Sequence, residues 1–164
     1  MNDSFDRVLQ SCPVLDLVGP LTLEQFFRHA AQNLAGLIGI AEQVLRDLLL
    51  EREAQSPTVL SPLVAIPHVL LDGQGQFHGL VARCREGINF YPGAPQVRCA
   101  FVLAGTADQR ALHLTALAAI ARVTRQEDFG ERWLAAGDTQ ALRRVVLEGY
   151  RRSLESQSAS GPPA

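Results

Sequence analysis

Lysine is missing altogether from this 164-residue chain, so its basic residues are all arginines. They are scattered, with pairs only at Arg143-Arg144 and Arg151-Arg152, and the formal charge is -2. No basic stripe is present to follow a phosphate backbone, which argues against nucleic acid as a partner. Cysteine is scarce as well. Cys12, Cys84 and Cys99 form no CxxC pair and fit no metal-finger spacing. An odd number of scattered thiols in apolar runs points to core residues in a reducing compartment, and so to a cytoplasmic protein. No apolar run approaches the ~20 residues that span a bilayer, so no direct membrane insertion is expected. The polar, acidic stretch Met1 to Arg7 lacks the basic start of a secretory leader. Carboxylates are sparse near the histidines: only Asp72 and Asp108 lie close in sequence, too few for a metal-dependent hydrolase.

What is present is an ordinary globular balance, with 47% apolar and 20% charged residues. The length suits one domain with one sizeable core. Residues 1–11 read as a flexible leader, 12–152 as the domain and 153–164 as a disordered tail. Val14 to Val18 reads as a short strand stopped by Gly19-Pro20. Thr22 and Gln25 have capping-box spacing ahead of a helix carrying Leu23, Phe26, Phe27, Ala30, Ala31 and Leu34. Gly36 and Gly39 interrupt it, and a second helix with Val44, Leu45, Leu48 and Leu49 ends near Glu53. Val64-Ala65-Ile66 is a short buried strand before Pro67-His68. After the turn at Asp72-Gly73-Gln74-Gly75, Phe77 to Cys84 is a strand ended by Glu86-Gly87. Val97 to Ala104 is a further strand, closed by Gly105-Thr106. Three helices follow, over about 107–125, 127–135 and from a cap at Asp138 or Thr139. Strands interleaved with helices imply an α/β domain with a mixed sheet.

Ala65-Ile66-Pro67-His68 is the most informative stretch. Proline cannot donate to a ladder, so it is expected to end the strand and deliver His68 at the strand's carboxyl end. In α/β sheets ligands gather at that edge. A phosphoryl acceptor needs one neutral ring nitrogen facing phosphorus and the other held by a hydrogen bond. His113 is the second candidate, in the first turns of the helix after Gly105-Thr106, where free N–H groups favour anions. His78 is expected to face solvent from its strand, and His29 to be a satisfied boundary residue in mid-helix among apolar neighbours. A zinc site of His68, His113 and a cysteine has no supporting spacing.

Leu50-Glu51-Arg52-Glu53, Ser56, Thr58 and Val64-Ala65-Ile66-Pro67-His68 resemble the signature of fructose/mannitol-type (type 2) enzyme IIA domains of the bacterial sugar phosphotransferase system. Glu86 to Phe90 resembles that family's following loop. His113-Leu114, with Leu117 to Val123, resembles its later helix. The similarity spans roughly residues 14 to 150. It implies a phosphotransferase/anion-transport-protein-like fold of a single domain, a mixed β-sheet flanked by helices. It implies His68 as phosphoryl acceptor, His113 as its support, Thr58 as a phosphate-binding residue and no cofactor. The implied partners are an HPr-like phosphocarrier donor and a permease IIB domain. The alternative is a regulatory module that docks on an ion or amino-acid transporter. Ser61 and Leu63 stand where relatives usually carry glycine, and Val69-Leu70-Leu71 follows the histidine. No arginine directly after His68 is present to hold phosphate.

Overall fold

The computed structural model describes residues 3–159. In chain order it contains α1 (Ser4–Ser11), β1 (Val14–Leu17), β2 (Leu21–Thr22), α2 (Leu23–Ile38), α3 (Glu42–Gln55), β3 (Val64–Ala65) and β4 (His68–Leu71). Then follow β5 (Phe77–Asn89), β6 (Val97–Thr106), a 3₁₀ turn (Ala107–Gln109), α4 (Arg110–Thr124), α5 (Phe129–Ala135) and α6 (Thr139–Ala159).

The strands form one six-stranded mixed sheet in the order β1-β5-β6-β3, with β2 on the β5 side and β4 on the β6 side. The long strands β5 and β6 are antiparallel at the centre, and the short outer strands run parallel to their neighbours. Alternation along β5 and β6 sends side chains to two cores. Leu80, Ala82, Ala100 and Val102 pack with Phe26, Phe27, Leu34 and Leu45 of α2 and α3. Val81, Phe101 and Leu103 pack with Ala116, Ile120, Trp133 and Tyr150 on the opposite face. The result is a three-layer α/β domain.

Local chemistry explains the helix ends. Thr22 Oγ1 accepts from Gln25 N at 3.1 Å, and Gln25 Oε1 accepts from Thr22 N at 2.9 Å, a complete capping box. Gly39 closes α2 with φ of 90°, the left-handed C-cap that favours glycine. Asp138 caps α6 by accepting from Ala141 N at 2.8 Å.

Four expectations are corrected. The stretch 1–11 is not a loose leader where it is described. Ser4–Ser11 is a helix with Phe5 and Leu9 buried, capped by Asp3 and tied to α6 by the Asp6–Arg151 ion pair at 2.9 Å. Residues 153–159 are likewise not a tail: α6 continues to Ala159, and Ser153 is buried with its hydroxyl on Tyr150 O at 2.6 Å. Residues 160–164 lie outside the described residues. Glu86-Gly87 does not end β5. The chain bulges between Arg83 and Ile88 and continues, with Gly87 at φ of 96°. Finally, Pro67 interrupts its strand without ending it. Val64 faces Cys99 and His68 faces Leu103 at the same offset, so β3 and β4 are one edge strand broken only at Ile66-Pro67. An edge strand is where a sheet tolerates a residue lacking N–H.

Candidate active site

His68 is therefore the first residue of β4, not a strand's carboxyl terminus. Val69 and Leu71 belong to the α2/α3 core, so period-2 alternation turns His68 and Leu70 to the other face, beside α4. His68 is half-buried there, while Leu70 is 69% exposed.

The ring is held at both nitrogens. Nδ1 lies 2.8 Å from the Ile66 carbonyl oxygen. A carbonyl only accepts, so Nδ1 carries the hydrogen and Nε2 of the neutral ring carries the lone pair. Arg52 Nη2 donates toward that lone pair across 3.2 Å. Arg52 reaches it from α3, with its other terminal nitrogen donating to Ser56 O at 3.1 Å.

The His113 ring stands edge-on to His68, with centroids 5.2 Å apart and planes at 71°. Phe77 backs it at 6.0 Å. Burial, and then neighbouring His68, holds the His113 imidazole below the usual histidine range. Both influences favour its neutral form. Neither of its ring nitrogens has a hydrogen-bond partner among the described residues.

These groups line a cleft of about 370 Å³ with Thr106, Ala107, Arg110, Leu114 and Leu117. Two arginines and two imidazoles face it, and no carboxylate is among its lining residues. The first turns of α4 add the partial positive charge of a helix start. The arrangement suits an anion with several oxygens, and the Nε2 lone pair of His68 meets the Arg52 guanidinium there.

Arg52 and Arg110 are the residues that sequence reasoning missed. The arginine sought directly after His68 is supplied instead from two helices. Arg52 was visible in the Arg-Glu pair ending α3, and Arg110 stands one helical turn before His113, on the same face. Thr58 is not a cleft residue. Its N–H and hydroxyl both donate to Glu53, each at 2.7 Å, so its hydroxyl hydrogen is already committed. His78 bonds Gln76 Oε1 at 2.8 Å, and burial lowers its pKa; it is half-buried rather than solvent-facing. The thiols of Cys12, Cys84 and Cys99 are buried, and burial raises all three. Among the described residues no three His, Cys, Asp or Glu side chains converge, so a zinc site lacks a third ligand. No helix of the described residues is long and apolar enough to cross a membrane.

Residues 20–149 match the family described as phosphoenolpyruvate-dependent sugar phosphotransferase system, EIIA 2. The chain belongs to that family. This IIA domain is 34% identical over 145 residues to a nitrogen regulatory protein of Bradyrhizobium diazoefficiens, covering 82% of this chain and 94% of the relative. Its fold is similar to that of the nitrogen regulatory protein IIA-Ntr from Neisseria meningitidis. The TM-score is 0.77 at 24% identity, covering 88% of this chain and 99% of the other. It also resembles the IIA component in a complex of enzyme IIA-mannitol with phosphorylated enzyme IIB-mannitol from Escherichia coli. There the TM-score is 0.64 at 17% identity, over 82% and 94% of the two chains. Domains of this family are phosphoryl carriers, which gives the IIA domain a phosphotransferase role in the coarse sense.

Proposed function

We propose that this IIA domain accepts a phosphoryl group on Nε2 of His68 from a phosphohistidine donor, and that a regulatory partner reads its phosphorylation state. One observation carries the reading. The Nδ1–H bond to Ile66 leaves the Nε2 lone pair in a cleft lined by two guanidinium groups.

In the proposed step the Nε2 lone pair forms the new P–N bond while the donor's P–N bond breaks. The donor ring departs as neutral imidazole. Each ring keeps the hydrogen on its other nitrogen, so no proton changes hands. The phosphoryl group arrives already activated, so the chain needs no cofactor for it. Catalysis is then positioning plus stabilisation of spread negative charge. Arg52 moves from Nε2 onto the incoming oxygens, Arg110 meets them from α4, and neutral His113 offers a ring N–H.

The donor we propose is an HPr-like phosphocarrier, met in the cytoplasm. The relative at 34% identity is a nitrogen regulatory protein, which supports regulatory output over bulk sugar transport. A second reading, onward transfer to a IIB domain, is supported by the mannitol IIA–IIB complex. Added charge at His68 would alter docking on either partner through local electrostatics.

The test is incubation with a phosphorylated HPr-type donor, followed by intact mass with and without acid. The reading expects an acid-labile adduct on the wild-type chain and none on His68→Ala. Full labelling of His68→Ala, or no adduct on the wild type, overturns it.

A further inference from the structure

Glu53 extends the buried stripe of α3 formed by Leu45 and Leu49, and it is only 7% exposed. A buried carboxylate is costly unless it is paired. It also sits in the last turns of a helix, where the dipole disfavours negative charge. Among the described residues it has no ion-pair partner. Its compensation is a pair of hydrogen bonds from one residue, Thr58 N–H and Thr58 O–H, each 2.7 Å.

Those bonds lead to the reacting ring. Thr58 O accepts from Ile66 N at 3.0 Å, and Val59 bridges Ala65 beside it. Ile66 O in turn accepts from Nδ1 of His68 at 2.8 Å. Adjacent residues of α3 therefore address opposite sides of one imidazole: Arg52 meets Nε2, and Glu53 holds the backbone that holds Nδ1.

We infer that Glu53 is a positioning residue for His68, acting through Thr58 and Ile66 to fix the tautomer that leaves Nε2 free for phosphorus. The inference rests on the proposed role of His68, but its primary readout does not. A neutral imidazole with its hydrogen on Nε2 has no lone pair there. Without the clamp Ile66 O drifts, and the two tautomers mix. Thr58, expected as a phosphate ligand, becomes the link between carboxylate and ring.

The experiment is ¹⁵N NMR of the histidine rings in the unphosphorylated chain, paired with rates of labelling by a phosphorylated HPr-type donor. Wild type and Thr58→Ser, which keeps both donors, should hold His68 in the Nδ1–H tautomer and label at equal rates. Glu53→Gln should show mixed tautomers and label roughly 100-fold more slowly, the scale of a small misplacement of a reacting group. Its KM for the donor should stay within about twofold, because the donor does not touch Glu53. Thr58→Val, nearly isosteric and at a half-buried position, should move the same way and decides the matter if Glu53→Gln does not fold. Either folded variant retaining a pure Nδ1–H tautomer and the wild-type rate overturns the inference, for Arg52 alone would then set the ring. A wild type that accepts no phosphoryl group, with tautomers that still shift, would defeat the proposed function and leave this inference standing.

Discussion

Arg52 and His68 meet head-on, Nη2 against Nε2 at 3.2 Å, although sixteen positions separate them in the chain. Among the described residues the guanidinium has no carboxylate partner, and it occupies the space a phosphoryl group would enter. Arg52→Gln should therefore keep the fold, since the residue is half-buried at the cleft wall. It should slow phosphoryl acceptance roughly 100-fold, the scale of losing one oriented donor to the transition state. Arg52→Lys should recover only part of the rate, because a point charge cannot reproduce the planar fork. Single-turnover labelling checks both.

His113 supplies a pH signature. Burial and neighbouring His68 lower its pKa from the ordinary 6.5. As pH falls below 6.5 the unfolded chain takes up a proton that the folded ring resists. Its contribution to stability is thus present above 6.5 and lost as pH falls through the folded value. An NMR titration should find His113 titrating below the usual value. A phosphoryl group on His68 should reverse that direction, since a nearby negative charge favours imidazolium. The titration midpoint of His113 should rise on phosphorylation and return on hydrolysis.

Arg83 offers a stability test far from the cleft. It is 1% exposed, pairs with Asp16 at 2.7 Å and donates to the carbonyl oxygens of Trp133, Leu134 and Ala136. One cation thus satisfies the end of α5 and ties it to the sheet. Arg83→Ala should cost roughly 3 kcal/mol in chemical denaturation, as for one partner removed from a buried pair. The hydrogen bond from Arg83, and secondarily that from Arg85, holds the Asp16 carboxyl below its ordinary range. Stability from that pair is present above the ordinary carboxylate pKa and is lost as pH falls through the lowered one.

Much of the scaffold was legible because its signals are local. Thr22 and Gln25 announced the capping box, Gly39 interrupted the helix, and apolar runs marked the strands at Phe77 to Cys84 and Val97 to Ala104. Two of the misreadings share one cause: a local stop signal overruled by strand pairing. Gly87 opens a bulge because β6 continues to pair beyond it. Pro67 leaves the register intact because the edge strand needs no N–H from that position. The leader reading of residues 1–11 failed because Phe5 and Leu9 are buried in a core shared with Tyr150 of α6, a surface no local signal displays. At the site, His68 and His113 carried family motifs, and the fold brings their rings to 5.2 Å in one cleft. Arg52 and Arg110 converge only through the packing of α3 and α4, which no linear spacing displays.

The cleft's rim makes a further prediction. Leu70 is 69% exposed and Leu114 is 54% exposed, on either side of the imidazoles. Substituting either by Glu should change stability by less than about 0.5 kcal/mol, as surface changes do. Under the proposed function it should raise the KM for the phosphocarrier while leaving kcat nearly unchanged. Steady-state labelling against donor concentration separates the two.

The most direct measurement is ¹⁵N and ³¹P NMR of the phosphorylated chain, read for which ring nitrogen of His68 bears phosphorus. The account predicts an Nε2–P bond with hydrogen retained on Nδ1, still bound to Ile66. Phosphorus on Nδ1, or on any residue other than His68, would contradict it.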